Sequence, residues 1–143
     1  MAETAAAGGP AQITIEQRVE WRDTDASGHH HQVAVLLMAE VAEAELLERL
    51  GLADELYGSF PRVHVSADFS EQLRFRARVG VQIAVAALGR TSATLEFIVR
   101  VGELTAAEGK MVAVRLGRGG RPAPWTARQR KLLLESGDVS RRS

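Results

Sequence analysis

The sequence predicts an α+β domain in which an antiparallel sheet of about five strands lies against one long helix. Three observations carry that expectation. Residues 33–50 form a run without proline or glycine, rich in Ala, Leu, Met and Glu, that meets Gly51 where a helix-ending glycine belongs. Alternating apolar and polar residues flank this run on both sides. The later alternating runs are joined by links too short for parallel crossovers, so antiparallel neighbours are expected.

The first strand is expected from Ile13, because Ile13, Ile15, Val19 and Trp21 share one parity and mostly polar residues take the other. It stops at Arg22-Asp23. On the helix, Val35, Met38, Ala39, Ala42, Leu46 and Leu50 form one stripe, with Glu40 and Glu48 opposite. The first two turns, VAVLLMA, have no polar face, so they should be buried all round. Glu40, Glu43 and Glu45 read as a solvated or interface face, with Glu43 at the edge of the buried stripe. Four further strands are expected at 63–69, 73–88, 91–101 and 110–116, separated by LGRTS and GELTAAEG. Within the second of these, Arg74, Arg76 and Arg78 would share one sheet face, a wet face or a dock for phosphates. A short second helix is expected from about Thr126. The domain then spans 12–135, between a disordered leader at 1–11 and a flexible tail at 136–143.

A chain of 143 residues suits one domain. Its 18 basic residues balance 18 acidic ones, so no net field draws it to nucleic acid or to a membrane surface. There is no cysteine, which removes disulfides, thiolate metal sites and a cysteine nucleophile. No apolar run reaches the roughly 18 residues a membrane span needs, and the start lacks a signal peptide's pattern. Cytoplasm is the expected compartment.

The residues that invite chemistry are in WRDTDASGHHHQ, where two aspartates and a small-residue turn lead from a strand into an apolar helix. By local chemistry alone, Asp23 and Asp25 are turn and helix caps or groups poised at a helix N-terminus, whose amides and dipole favour negative charge. Three adjacent histidines, His29, His30 and His31, fit a tetrahedral ion poorly, so no metal is expected.

This stretch and the strand order after it resemble the acyl-CoA thioesterases of the 4-hydroxybenzoyl-CoA thioesterase type. The pattern is a strand, Asp-x-Asp, a small-residue turn with Gly28 and a central helix, and the likeness covers about residues 12–117. The resemblance implies a hotdog fold, with the sheet wrapped around the helix, and hydrolysis of an acyl-CoA or acyl-carrier-protein thioester. It implies Asp25 as the catalytic carboxylate, either nucleophile or general base, and the backbone amide of Gln32 as the main oxyanion donor. Asp23, Gly28 and the three histidines are expected around the substrate, Asp23 chiefly as a residue that fixes the loop or raises the pKa of its neighbour, and the histidines as lining of the acyl pocket, as positioners of Asp25 or as solvated side chains. Family members more often carry apolar or aromatic residues where the histidines stand. Arg90 falls where the family keeps a basic contact to coenzyme A, with Thr91 and Ser92 beside it in the same hairpin. No cofactor is expected beyond the coenzyme A of the substrate. The expected partner is a second copy, as homodimer or homotetramer, with sites between subunits. The alternative is a hotdog domain that binds acyl-CoA as sensor or scaffold, with Asp25 structural.

Overall fold

The computed structural model describes residues 8–30 and 32–141. Five strands, β1 (Gln12–Arg18), β2 (Arg62–Phe69), β3 (Arg78–Leu88), β4 (Ser92–Val101) and β5 (Leu104–Val114), form one antiparallel sheet in the order β1-β3-β4-β5-β2. The long helix α1 (Gln32–Leu50) lies on one face against β1 and β3, followed by the single turn α2 (Ala53–Leu56). The arrangement is the α+β hotdog fold.

Period-2 burial makes the floor of the core: Ile13 of β1, Val79, Val81, Ile83 and Val85 of β3, and Leu95, Phe97 and Val99 of β4 all point inward. The expected helix stripe meets them, since all six of its residues are buried. Gly109 on β5 sits opposite Phe97 in the ladder, and a Cβ there would come within 2.7 Å of the Phe97 ring. The missing side chain at 109 therefore leaves room for the Phe97 ring.

Several boundaries differ from expectation. β3 begins at Arg78, because residues 74–77 close a turn in which the Ala77 amide donates to the Arg74 carbonyl at 3.0 Å. Arg74 and Arg76 therefore do not share a strand face with Arg78. Residues 104–109, expected as a link, are the first half of β5, and the hairpin narrows to Gly102-Glu103. Alanines at 106 and 107 gave no strand signal, yet both are buried by the sheet's own packing. Trp21 leaves the strand's parity by entering a 3₁₀ turn (Trp21–Asp23) and is 75% exposed.

The second helix, α3 (Ala127–Glu135), starts with a reciprocal cap: the Thr126 hydroxyl accepts from the Gln129 amide and the Gln129 side chain accepts from the Thr126 amide, each at 3.0 Å. Beyond it the chain stays attached. Val139 is buried and its amide donates to the Gln12 carbonyl at 2.9 Å, while Arg49 donates to the Ser140 carbonyl at 2.5 Å. Ala11, at the other boundary, is buried and donates to the Leu133 carbonyl. The expected tail is thus docked on β1 through Ser140, and the expected leader is tied down by Ala11; residues 1–7 and 142–143 lie outside the described residues.

α1 does not bury its apolar first turns on all sides. Val33, Leu37 and Val41 repeat at four-residue spacing along one face, and Leu37 is 50% exposed. The β2 edge of the sheet is also uncovered. No residue of β2 is buried, and Val63 is 63% exposed.

Candidate active site

Asp25 lies in a closed loop between the 3₁₀ turn and α1. Its amide donates to the His29 carbonyl at 3.1 Å and its carbonyl accepts from the Gly28 amide at 3.0 Å. Gly28 has φ of 84°, a conformation glycine takes without strain, so the small-residue pattern is what closes the loop. The Asp25 Oδ1 accepts from the Ser27 amide at 2.8 Å and from the Ser27 hydroxyl at 2.5 Å. These bonds aim the carboxylate.

Asp23 is spent on the loop's approach, where its Oδ2 accepts from the Glu20 amide at 2.8 Å. Thr24 closes on the Trp21 carbonyl through both its amide, at 3.1 Å, and its hydroxyl, at 2.7 Å. The turn carrying Trp21 and the loop carrying Asp25 are therefore one continuous hydrogen-bonded unit.

The histidines divide. His30 is fixed from both sides: its amide donates to the Leu73 carbonyl at 2.8 Å and its Nδ1 accepts from the Leu73 amide at 2.9 Å. The two bonds to Leu73 hold the His30 ring in one orientation. Its ring lies 6.1 Å from that of Phe69, tilted by 34°. His29 forms an isolated bridge with Arg74, and its buried Nδ1 has no hydrogen-bond partner among the described residues. His31 lies outside the described residues.

Asp25, Ser27, His30, Gln32, Phe69 and Gln72 line one open cleft of about 510 Å³. Gln32 is the first residue of α1, so its amide has no carbonyl partner within the helix, and the dipole's positive end points toward the cleft mouth. A carboxylate and a helix N-terminus share this space. Phe69 and Gln72 come from the end of β2 and the loop after it, and nothing in the local sequence around Asp25 marks them. Among the described residues, no three His, Asp or Glu side chains are grouped to hold a metal ion.

Arg90, Thr91 and Ser92 stand elsewhere. β1 and β3 pair with Arg18 opposite Arg78, so the Asp25 loop is at the start of β3 and the Arg90 hairpin at its far end. Eleven residues of strand separate the two ends by about 35 Å. One chain does not bring them together.

A second cavity, of about 220 Å³, lies at the opposite end of β2 between α1, α2 and Phe60. Glu43, expected on a solvated or interface face, is only 3% exposed and is paired there with Arg62. The Arg62 Nε also lies 3.3 Å from the Glu40 carboxylate. The helix pattern could not reveal this, because the cation that permits burial comes from the sheet.

No protein-family model and no curated protein matches this chain. Solved structures do. A thioesterase from Thermus thermophilus, crystallised with coenzyme A and Zn, is 29% identical with a TM-score of 0.76, over 84% of this chain and 90% of that one. A 1,4-dihydroxy-2-naphthoyl-CoA thioesterase from Synechocystis is 21% identical with a TM-score of 0.77, over 85% of this chain and 95% of the other. A DHNA-CoA thioesterase from Staphylococcus aureus is 16% identical with a TM-score of 0.72, over 80% of each chain. The last two likenesses show the fold alone. The class that fold and neighbours define is the hotdog fold, and within it this chain is similar to the Thermus thermophilus thioesterase.

Proposed function

We propose that this chain hydrolyses an acyl thioester of coenzyme A or of a carrier protein at the cleft holding Asp25 and the start of α1. The observation that carries this reading is that Asp25 and Gln32 line the same cleft. As general base, Asp25 takes a proton from water while the water oxygen adds to the thioester carbonyl carbon. As nucleophile, its own oxygen adds, forming an anhydride that water then cleaves. In both routes the developing oxyanion is held by first-turn amides of α1, Gln32 foremost. The carbon–sulfur bond breaks, and the sulfur leaves as thiolate, which needs no strong acid if its thiol has a pKa of about 8.5. His30, fixed by Leu73, forms part of the cleft wall.

The reading includes a second copy of the chain. Val33 shares a cleft with Phe69, and Glu40 and Glu43 meet Arg62, so α1 with its uncovered Val33, Leu37 and Val41 borders β2, an edge strand whose outer backbone groups have no neighbour in the sheet. Antiparallel pairing of β2 with its copy about a twofold continues the sheet and sets the two α1 helices side by side on one face. A twofold at the strand's middle puts Phe69, beside Asp25, opposite Arg62 of the partner subunit. The acyl group then lies against the partner. Arg90, Thr91 and Ser92 can reach an Asp25 cleft only from another subunit.

One observation favours a different reading. The Oδ1 of Asp25 is engaged by Ser27, as in a purely structural turn. A domain that only binds acyl-CoA would keep that turn and release no thiol. A thiol-reactive dye with a panel of acyl-CoA and acyl-carrier thioesters separates the two: steady thiol release supports hydrolysis, and binding without release supports the sensor or scaffold.

A further inference from the structure

Trp21 and its neighbours take no part in the chemistry above, yet they are built onto the same loop. The indole is 75% exposed, and it meets the Phe75 ring edge-on at 5.6 Å with an interplanar angle of 80°. The Arg76 guanidinium lies 5.0 Å from the centre of that Phe75 ring. Arg76 also has φ of 74°, the one positive φ at a non-glycine among the described residues. Its position in the 74–77 turn suits glycine, and an arginine there is held against backbone strain, with its amide donating to the Val19 carbonyl at 2.8 Å. Arg74 and Arg76 make no ion pair among the described residues. The patch is thus a fixed aromatic surface with two available cations, joined to Asp25 through Thr24.

We propose that Trp21, Phe75 and Arg76, with Arg74, dock the nucleotide end of a coenzyme A thioester, the adenine stacking on Trp21 and the phosphates meeting the arginines. This rests on the thioesterase reading and adds the substrate's carrier to it. Aromatic faces bind bases through stacking, and guanidinium groups match phosphate oxygens in pairs. A copy paired through β2, as proposed above, leaves the patch uncovered. Trp21 follows β1 and Phe75 precedes β3, at the sheet edge opposite β2. The geometry gives the substrate a direction, with acyl group toward the partner, carbonyl at Asp25 and nucleotide toward Trp21.

Calorimetric titration of the full chain with coenzyme A and with pantetheine, which lacks the nucleotide, tests this. Trp21→Leu should weaken coenzyme A binding by about tenfold and leave pantetheine binding at the parent's value. Arg76→Gly should raise Tm by relieving the turn while weakening coenzyme A several-fold; a purely structural Arg76 would leave the affinity alone. In the parent, coenzyme A should quench the exposed Trp21 emission, with Trp125, only 7% exposed, contributing little to the change. Coenzyme A affinity within twofold of the parent in both variants would overturn the proposal. So would equal losses for pantetheine, or a loss in Arg90→Ala alone. A parent that cleaves carrier-protein thioesters but does not bind coenzyme A would also overturn it and leave the hydrolase reading standing. Coenzyme A binding through Trp21 with no thiol release would do the reverse.

Discussion

Glu43 on α1 is buried and paired with Arg62 at the start of β2, so one ion pair pins the middle of the helix to the sheet edge. A carboxylate removed from water depends on its partner. Arg62→Met should therefore cost about 3 kcal/mol in denaturant unfolding, because it strands the Glu43 charge. Replacing both, Glu43→Leu with Arg62→Met, should recover most of that loss. Equal damage from the single and double variants would show that Arg62 matters through packing and not through charge.

Glu55 ties α2 to α3, accepting from Arg128 at 2.6 Å and from the Gln129 side-chain amide at 2.9 Å. The Arg128 bond, helped by Gln129, holds its carboxyl below the ordinary value of 4.5. A lowered folded pKa means that the stabilisation is fully present above the unfolded value and is lost as pH falls through the folded one. Glu55→Gln should lower Tm by about 2 °C at pH 7, the scale of an exposed pair, and by progressively less as pH falls through the folded pKa. A difference in Tm that grows as pH falls below 4.5 would contradict this account.

Leu37 stands in the uncovered apolar row of α1, between Val33 and Val41. Leu37→Asp puts a charge where the proposed partner helix packs. Sedimentation should find the parent at twice 15.5 kDa or more and the variant shifted toward 15.5 kDa, with far-ultraviolet dichroism retained and thiol release lost. A parent that is monomeric and fully active would remove the shared site.

The parts legible in the sequence are those governed by local period and by turn chemistry. The α1 stripe from Val35 to Leu50, the inward parity of Val79 to Val85, and the Thr126 cap of α3 all follow from residues within a few positions of one another. Gly28 and Asp25 are legible as a loop for the same reason. Sequence and structure part where pattern and partner diverge. Residues 73–77 alternate like a strand, but their backbone is committed to the Arg74–Ala77 turn and to the His30 loop. Alanine-rich residues 104–109 lack a strand signature and are held by both neighbouring strands. Glu43 reads as the edge of the buried stripe, and its full burial is explained only when Arg62 is placed beside it. Phe69 and Gln72 join Asp25 from some forty positions away, which no local pattern encodes.

The central claim is that the carboxylate of Asp25 performs the chemistry, and Asp25→Asn tests it with the least disturbance. The amide retains an oxygen for the Ser27 bonds, so the loop should close as before, while the base or nucleophile is removed. Thiol release from the best substrate of the panel should fall at least about a hundredfold, with Tm and KM close to the parent's. Asp23→Asn, which alters only the approach turn, should cost far less. Turnover by the Asp25→Asn variant within a few-fold of the parent would contradict the account.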